Sequence, residues 1–380
     1  MKSGGVYIHV PFCTEKCMYC DFYSLSNRED SIDLFVKSLC KEIKLTSKKT
    51  NINWIIDSIF IGGGTPSLLS ASQLEKIVKH LNQAYQLSNI KEFTIEANPG
   101  EFNENKMRDF KSIGVNRISF GFQSLNDRLL KFLTRWHSSG DCIKAYNSAR
   151  KINFKNISID MIFGIPNQSL KDWKKDLNSV VELDPEHISA YSLTVEKRTP
   201  LYKSVQSKSI LMPHEEVDIQ MYGHTMNRLN KDGYTQYEIS NYSKKSKECK
   251  HNLHYWRREP YLAFGPSAHG YNEKQRYWNI RDLNKYIKIL KSNKLPIDET
   301  ETLSKENVFN EIVLNGLRVK DGINISKIKS QFDKDTFNNL SKKIDDWSNY
   351  LEDDKLRIKL NRKGYFIADE ITLDLMNSYT

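Results

Sequence analysis

Short apolar runs, separated by longer amphipathic stretches, alternate along the first half of the chain. Gly5–Val10 (GVYIHV), Ile55–Ile61, Glu92–Ala97, Val115–Phe120, Asn156–Phe163 and His187–Leu193 have the length and residue content of strands. Helical patterns lie between them. Ser31–Leu45 places Ile32, Phe35, Val36 and Leu39 on one face, and Ser70–Leu81 starts behind Ser70 as N-cap. Asn103–Ile113 is closed by Gly114, and further helices start from Asn126, Gly140 and Ser169. Six β–α units in a row predict a parallel sheet, because crossover helices of this length return each strand beside its neighbour in the same direction. Such a sheet can curl into a partial (β/α) barrel or lie open as a doubly wound sheet.

One regularity favours the barrel. Cysteines follow the first strand, Gly62–Pro66 the second, Glu96-Ala97-Asn98-Pro99 the third and Gln123 the fourth, while Asp160 lies on the fifth. The strands of a parallel α/β sheet share one carboxyl rim, and ligands bind there. The expected fold is α/β: a partial (β/α)6 TIM-like barrel over 1–200, a region over 201–295 packed on it, and a small, mainly helical, winged-helix-like unit over 296–380. Beyond Pro200 the pattern gives a helix over Pro213–Leu229, extended chain over Tyr234–Tyr242 and an aromatic-rich stretch from Tyr255 to Trp278. Charged helical segments over Asn307–Leu317 and Phe332–Asn349 precede a hairpin-like Leu356–Ala368.

Composition narrows the class. The 380 residues are 39% hydrophobic and 27% charged, an ordinary globular balance. There is no run of about 18 apolar residues to span a membrane. No apolar secretory segment follows Met1, so a cytoplasmic location is expected. The net charge of +10 comes from 57 basic and 47 acidic side chains, yet the lysines are scattered, as at Lys48-Lys49, Lys174-Lys175 and Lys244-Lys245. Without a block of five or six like charges they read as solvated surface, and nucleic-acid binding is not expected.

Three of the six cysteines, Cys13, Cys17 and Cys20, fall within eight residues. In a cytosolic chain such a trio suggests metal ligation, whereas Cys40, Cys142 and Cys249 read as small buried hydrophobes. Zinc prefers four ligands, usually two C-x2-C pairs, and an electron-transfer cluster normally takes four thiolates. Three thiolates on four irons leave one iron open to chelate a small molecule. The zinc and electron-transfer readings remain as alternatives at this point.

The C-x3-C-x2-C spacing behind a first strand resembles the radical-SAM superfamily. The resemblance implies a [4Fe–4S] cluster on Cys13, Cys17 and Cys20, with S-adenosylmethionine (SAM) chelated on the open iron. In that family one electron from the cluster cleaves SAM to a 5′-deoxyadenosyl radical. Tyr7-Ile8-His9-Val10-Pro11-Phe12-Cys13, Gly62–Pro66, Glu96–Pro99, Gly121-Phe122-Gln123-Ser124 and Asp160–Pro166 further resemble the anaerobic coproporphyrinogen III oxidase family. By matching motifs, SAM contacts fall on Tyr7, Gly63, Gly64, Thr65, Glu96, Gln123, Arg135 and Asp160. Tyr19 and Phe22 flank the last cluster cysteine and are expected to shield it.

Two departures separate this chain from the oxidases of that family. They resemble C-x3-C-x2-C-x-C, whereas Phe22 stands at the fourth position here, and they carry an extension before the first strand. His251-Asn252-Leu253-His254-Tyr255-Trp256 instead resembles the H-N-x-x-Y-W motif of the family's haem-binding HemW branch. That resemblance implies haem on His251, with His254 and Cys249 as alternative or additional ligands. Imidazole is a good axial iron ligand. Tyr255, Trp256, Tyr261 and Phe264 could cover a porphyrin face, and Lys250, Arg257 and Arg258 could pair with its propionates. The implied function is a haem chaperone serving a haem-acceptor protein, with room for a homodimer and peripheral membrane association. The rival readings are oxidative decarboxylation of coproporphyrinogen III and radical chemistry on another substrate.

Overall fold

The computed structural model describes residues 2–379. Six parallel strands form in sequence order: β1 (Ser3–Val10), β2 (Ile55–Gly63), β3 (Glu92–Ala97), β4 (Arg117–Gln123), β5 (Ile157–Phe163) and β6 (His187–Ser192). Their crossovers contain α1 (Ile32–Lys49), α2 (Ala71–Ala84), α3 (Glu104–Ile113), α4 (Asp127–Phe132), α5 (Ser139–Lys151) and α6 (Leu170–Glu182). This is the expected α/β fold with its partial (β/α)6 barrel. Ser70 caps α2 as the sequence suggests, in a reciprocal box with Gln73.

The strands alternate in chemistry. Val6, Ile8 and Val10 of β1, Ile59 and Ile61 of β2, and Ile118 and Phe120 of β4 are fully buried toward the helices. Each such side chain contributes about 1.5–3 kcal/mol of burial. Their neighbours point the other way, into the lumen, and most are polar: Ser58, Glu96, Arg117, Ser119, Asp160, His187 and Ser189. They bond to one another across strands. Ser119 and Ser189 donate to Asp160 at 3.0 and 2.6 Å, and Ser158 bonds His187 at 2.8 Å.

The sheet is larger than the six strands expected. After α7 (Pro200–Gln206) and α8 (Glu215–Lys231), β8 (Asn241–Ser243) adds antiparallel to β6, and β7 (Thr235–Gln236) pairs antiparallel with β8 at the edge. The aromatic stretch then splits into α9 (Lys250–Arg257), β9 (Tyr261–Phe264), β10 (His269–Tyr271) and β11 (Gln275–Asn279). After α10 (Leu283–Lys291), β12 (Ile297–Thr302) completes twelve strands. Strand β9 pairs parallel to β1, and β12 and β7 are the two edges, so the sheet never closes on itself.

The C-terminal segment has a core of its own, around Phe309, Val313, Leu317, Ile328, Leu340 and Ile371. It comprises α11 (Lys305–Arg318), β13 (Ile323–Asn324), α12 (Ile325–Gln331), α13 (Lys334–Asp346), β14 (Leu351–Asp353), β15 (Arg357–Leu360) and α14 (Ala368–Met376). The hairpin expected over Leu356–Ala368 is displaced. Arg357–Leu360 pairs backward with Leu351–Asp353, and the chain then turns at Asn361, whose side chain accepts from the Lys363 and Gly364 amides. Alternation ends there: Tyr365, Phe366 and Ile367 are consecutive bulky residues and enter a helical turn, not a strand.

Helix α9 plugs the amino end of the barrel. Glu92, buried at the start of β3, accepts from the Lys250 and His251 amides at 2.9 and 3.1 Å. A carboxylate at a helix N-terminus satisfies orphan donors and complements the dipole. At the other end of α9, His254 bridges Asp57 on β2 (2.8 Å) and Glu259 (2.5 Å). Burial opposes its charge, but these two carboxylates outweigh burial and raise its pKa to about 9. An unfolded histidine releases its proton near pH 6.5. The stabilisation is therefore complete below that value and is lost as pH rises through about 9. Thermal melts should fall by several degrees across that window, and His254→Gln should flatten the decline; an unchanged pH profile in the variant would show that the pair does not hold α9.

Candidate functional site

The rim starts at the loop leaving β1. Phe12 and Leu25 form a bridge that closes the loop base, with Cys13 N donating to Leu25 O and Leu25 N to Pro11 O. Between these ends Cys13, Cys17 and Cys20 are free thiols, and Cys20 N donates to Cys17 O in a turn. The loop is tied outward as well. Met18 N donates to Thr134 Oγ1 and Leu201 N to Met18 O.

The glycine run after β2 lies against this loop. Gly64 N donates to Val10 O and Thr65 N to Phe12 O. A Cβ on Gly64 would stand 2.4 Å from Phe12 O, so only glycine permits the approach. Gly63 has φ +106° and its amide donates to Glu96 Oε2 at 3.1 Å.

Two donors are aimed at sulfurs of the cysteine loop. Thr65 Oγ1 lies 3.5 Å from Cys13 Sγ, and Arg135 Nη1 lies 3.4 Å from Cys17 Sγ. Asn98 connects them. Its Nδ2 donates to Thr65 Oγ1 at 2.9 Å, and its Oδ1 accepts from Arg135 Nη2 at 2.5 Å. Arg135 also donates to Gly121 O. The result is a relay, Cys13–Thr65–Asn98–Arg135–Cys17, across the cysteine loop. Among the described residues no three His, Cys, Asp or Glu side chains converge tightly enough to hold a single metal ion. A cubane makes a different demand, since each thiolate bonds a different iron. Donors directed at sulfur are the outer contacts a thiolate-bound cluster takes.

The remaining rim residues face the lumen. Burial, then repulsion from Asp160, raises Glu96 to about 7. Burial also raises Asp160, although three serines offer it hydroxyls. Gln123 sits at φ +68°, where the β4–β5 register slips, and its amide folds back toward Gly121. His9 Nε2 lies 2.7 Å from Tyr23 O and so carries the proton; Nδ1 then accepts from Tyr7 OH at 3.1 Å. Burial lowers His9 to about 4, which keeps it neutral. Tyr19 packs into a small apolar cluster with Leu129, Leu133 and Leu201. Phe22, expected to shield the cysteines, is 68% exposed and does not cover them.

The structure thus gathers Tyr19, Gly63, Gly64, Thr65, Glu96, Gln123, Arg135 and Asp160 with the three cysteines toward one end of the barrel, and Tyr7 lies below them, between His9 and His251. His251 lies elsewhere, at the level of Gly5 and Ser58. It is fully buried, with Nδ1 2.9 Å from Ser58 Oγ and Nε2 2.8 Å from Tyr255 OH. Burial keeps it neutral, so its one lone pair is spent on a hydroxyl. Its ring stacks on Phe60 and Tyr7. His254 has both nitrogens on carboxylates, and Cys249, fully buried, lies against Glu92. Arg258 and Arg257 pair with Glu311 and Asp321. Iron ligation at His251 therefore requires α9 to release a hydroxyl and open.

Sequence reasoning placed Asn98 on the rim but gave it no role. Asn98→Leu should uncouple Thr65 from Arg135. Losing such an outer partner typically costs about 10–100-fold in metal affinity. Iron and sulfide bound at limiting iron should fall, and the midpoint potential of any cluster that forms should move negative. Parent-like loading and potential would remove Asn98 from the site.

The profile of the Radical SAM superfamily matches residues 7–180. The protein named heme chaperone HemW of Bacillus subtilis is 38% identical over 333 residues, covering 87% of each chain. The protein of that name from Lactococcus lactis is 34% identical over 97% of this chain and 96% of its own. Among solved structures, the radical SAM enzyme coproporphyrinogen III oxidase (HemN) from Escherichia coli superposes with a TM-score of 0.84 over 98% of this chain and 90% of that one. Its 20% identity speaks for the fold alone. The chain belongs to the radical-SAM superfamily and, within it, to the HemW branch of the anaerobic coproporphyrinogen III oxidase-like family.

Proposed function

We propose that this protein is a haem chaperone of the cytoplasm: it holds a [4Fe–4S] cluster and SAM at the barrel rim, binds haem, and passes it to an acceptor protein. The observation that carries the reading is the likeness, over nearly the whole length of both chains, to proteins named heme chaperones. Cys13, Cys17 and Cys20 would hold the cluster. When bound, the cluster and SAM supply one-electron chemistry at a carbon–sulfur bond. Around them, Thr65 and Arg135 direct donors at two thiolates, and Gly63 and Gly64 allow the backbone to approach. Glu96, Asp160, Gln123 and Tyr7 offer acceptors and donors for the amine, carboxylate and ribose of SAM. Burial and Asp160 raise Glu96 to about 7, so a cation arriving beside it would draw it into its charged form.

Haemin titration of the anaerobically reconstituted protein should produce a Soret band, and the measurement should be repeated without the cluster. Cys17→Ala should abolish the brown colour and the bound iron and sulfide. Persistence of both would sink the cluster assignment. Incubation with coproporphyrinogen III, SAM and a reductant should yield no protoporphyrinogen; its formation would replace the chaperone reading with the oxidase one.

A further inference from the structure

Haem iron on His251 needs a ring nitrogen with a free lone pair and open space before it. Nδ1 offers neither. It lies 2.9 Å from Ser58 Oγ, and a Cβ built on Gly5 would stand 2.5 Å from it, so the wall of β1 and β2 closes that side. Nε2 is the remaining nitrogen, and Tyr255 OH stands 2.8 Å in front of it. Tyr255 is one turn further along α9, so the helix supplies its own cover. Access to Nε2 therefore depends on what holds Tyr255 in place.

The holders come from the C-terminal unit. Asn315 Nδ2 on α11 donates to Tyr255 O at 3.3 Å. The Tyr255 ring meets the ring of Tyr261 on β9 edge-on, with centroids 4.6 Å apart. Tyr261 OH accepts from Arg276 Nη1 at 3.3 Å, and Arg276 Nε donates to Glu311 Oε1 of α11 at 2.8 Å. The other oxygen of Glu311 accepts from Arg258 Nε, also at 2.8 Å. Arg258 ends α9 in the left-handed region at φ +54°, a conformation that costs a residue with a Cβ, so its side chain must be held from outside. The Arg258 and Glu311 side chains are only 7% and 18% exposed. Burial opposes the charge on Glu311, but Arg276 and Arg258 outweigh it and hold the carboxyl below its ordinary range. A third contact between the same helix and the same unit, Arg257 to Asp321, lies in solvent, where an ion pair is worth little.

We propose that Tyr255 is a gate over His251 Nε2 and that α11, through Glu311 and Asn315, is the latch that keeps it shut, so that displacing the C-terminal unit admits haem iron to His251. This rests on the haem-binding reading above. Glu311 and Asn315 are positioning residues, acting through Arg258, Arg276 and Tyr255.

The test is hydrogen exchange over the α9 amides of the full chain, read by mass spectrometry, beside stopped-flow haemin association followed at the Soret band. The parent is compared with Glu311→Gln, Asn315→Ala and, as the exposed-pair control, Arg257→Gln. Glu311→Gln and Asn315→Ala should each speed α9 exchange by about fivefold or more, the range of coupling between linked sites. Haemin association should quicken by the same factor, while dissociation, Soret position and cluster absorbance stay at parent values. A ligand that needs the open form gains in proportion as that form is populated, which a merely structural loss would not reproduce. Arg257→Gln should match the parent in both measurements. Parent-like α9 exchange in both latch variants, or equal loosening by Arg257→Gln, would overturn the latch. Loosened exchange with parent-like haemin association would overturn the gate and leave haem binding standing. A parent that binds no haemin would overturn the haem reading and the gate together.

Discussion

The organising constraint is that a polar lumen must satisfy itself. Inward positions of β1 to β6 carry serines, acids, histidines and an arginine where a structural barrel would carry branched apolar side chains. A buried polar group without a partner costs about 1–3 kcal/mol. Each inward residue therefore constrains the next: Asp160 gathers Ser119, Ser158 and Ser189, while His187 needs both Ser158 and Tyr237. Satisfaction is not complete, since Thr94 Oγ1 and Arg117 Nε lack a partner, and at the rim end the cysteines, Glu96 and Gln123 meet.

The same constraint explains why α9 belongs to the barrel although it comes late in the chain. Its first amides complete Glu92, its His251 completes Ser58, and its His254 completes Asp57. A motif that reads as a ligand set is, in this conformation, the polar floor of the lumen. Any role in metal binding is thereby coupled to dismantling that floor. The free energy of opening α9 would be subtracted from the intrinsic affinity of a ligand that needs the open form.

Much of this was legible in the sequence. Period-two runs and capped helices announced the six β–α units. Unusual residues at successive strand ends announced one shared rim, because parallel strands bring their carboxyl ends together whatever lies between. Asn98 was not assignable, since its value lies in standing between Thr65 and Arg135, 33 residues before it and 37 after it. The burial of His251 was hidden for a similar reason: its partner Ser58 is 193 positions away. Strands β9 to β11 are only three to five residues long, so their aromatic stretch showed composition but no period. The displaced hairpin shows the opposite hazard, a β-rich run that local turn chemistry at Asn361 divides.

The open edges of the twelve-stranded sheet bear on what sets its curvature. In a fully closed barrel the girth is set by strand number and stagger, and widening it means tearing a seam of ladder bonds. Here β12 and β7 are not sewn together, so the wall can flex its curvature with every existing pairing intact. The curvature of such a wall is held by its pairings and by the helices packed behind it, not by closure of the ring.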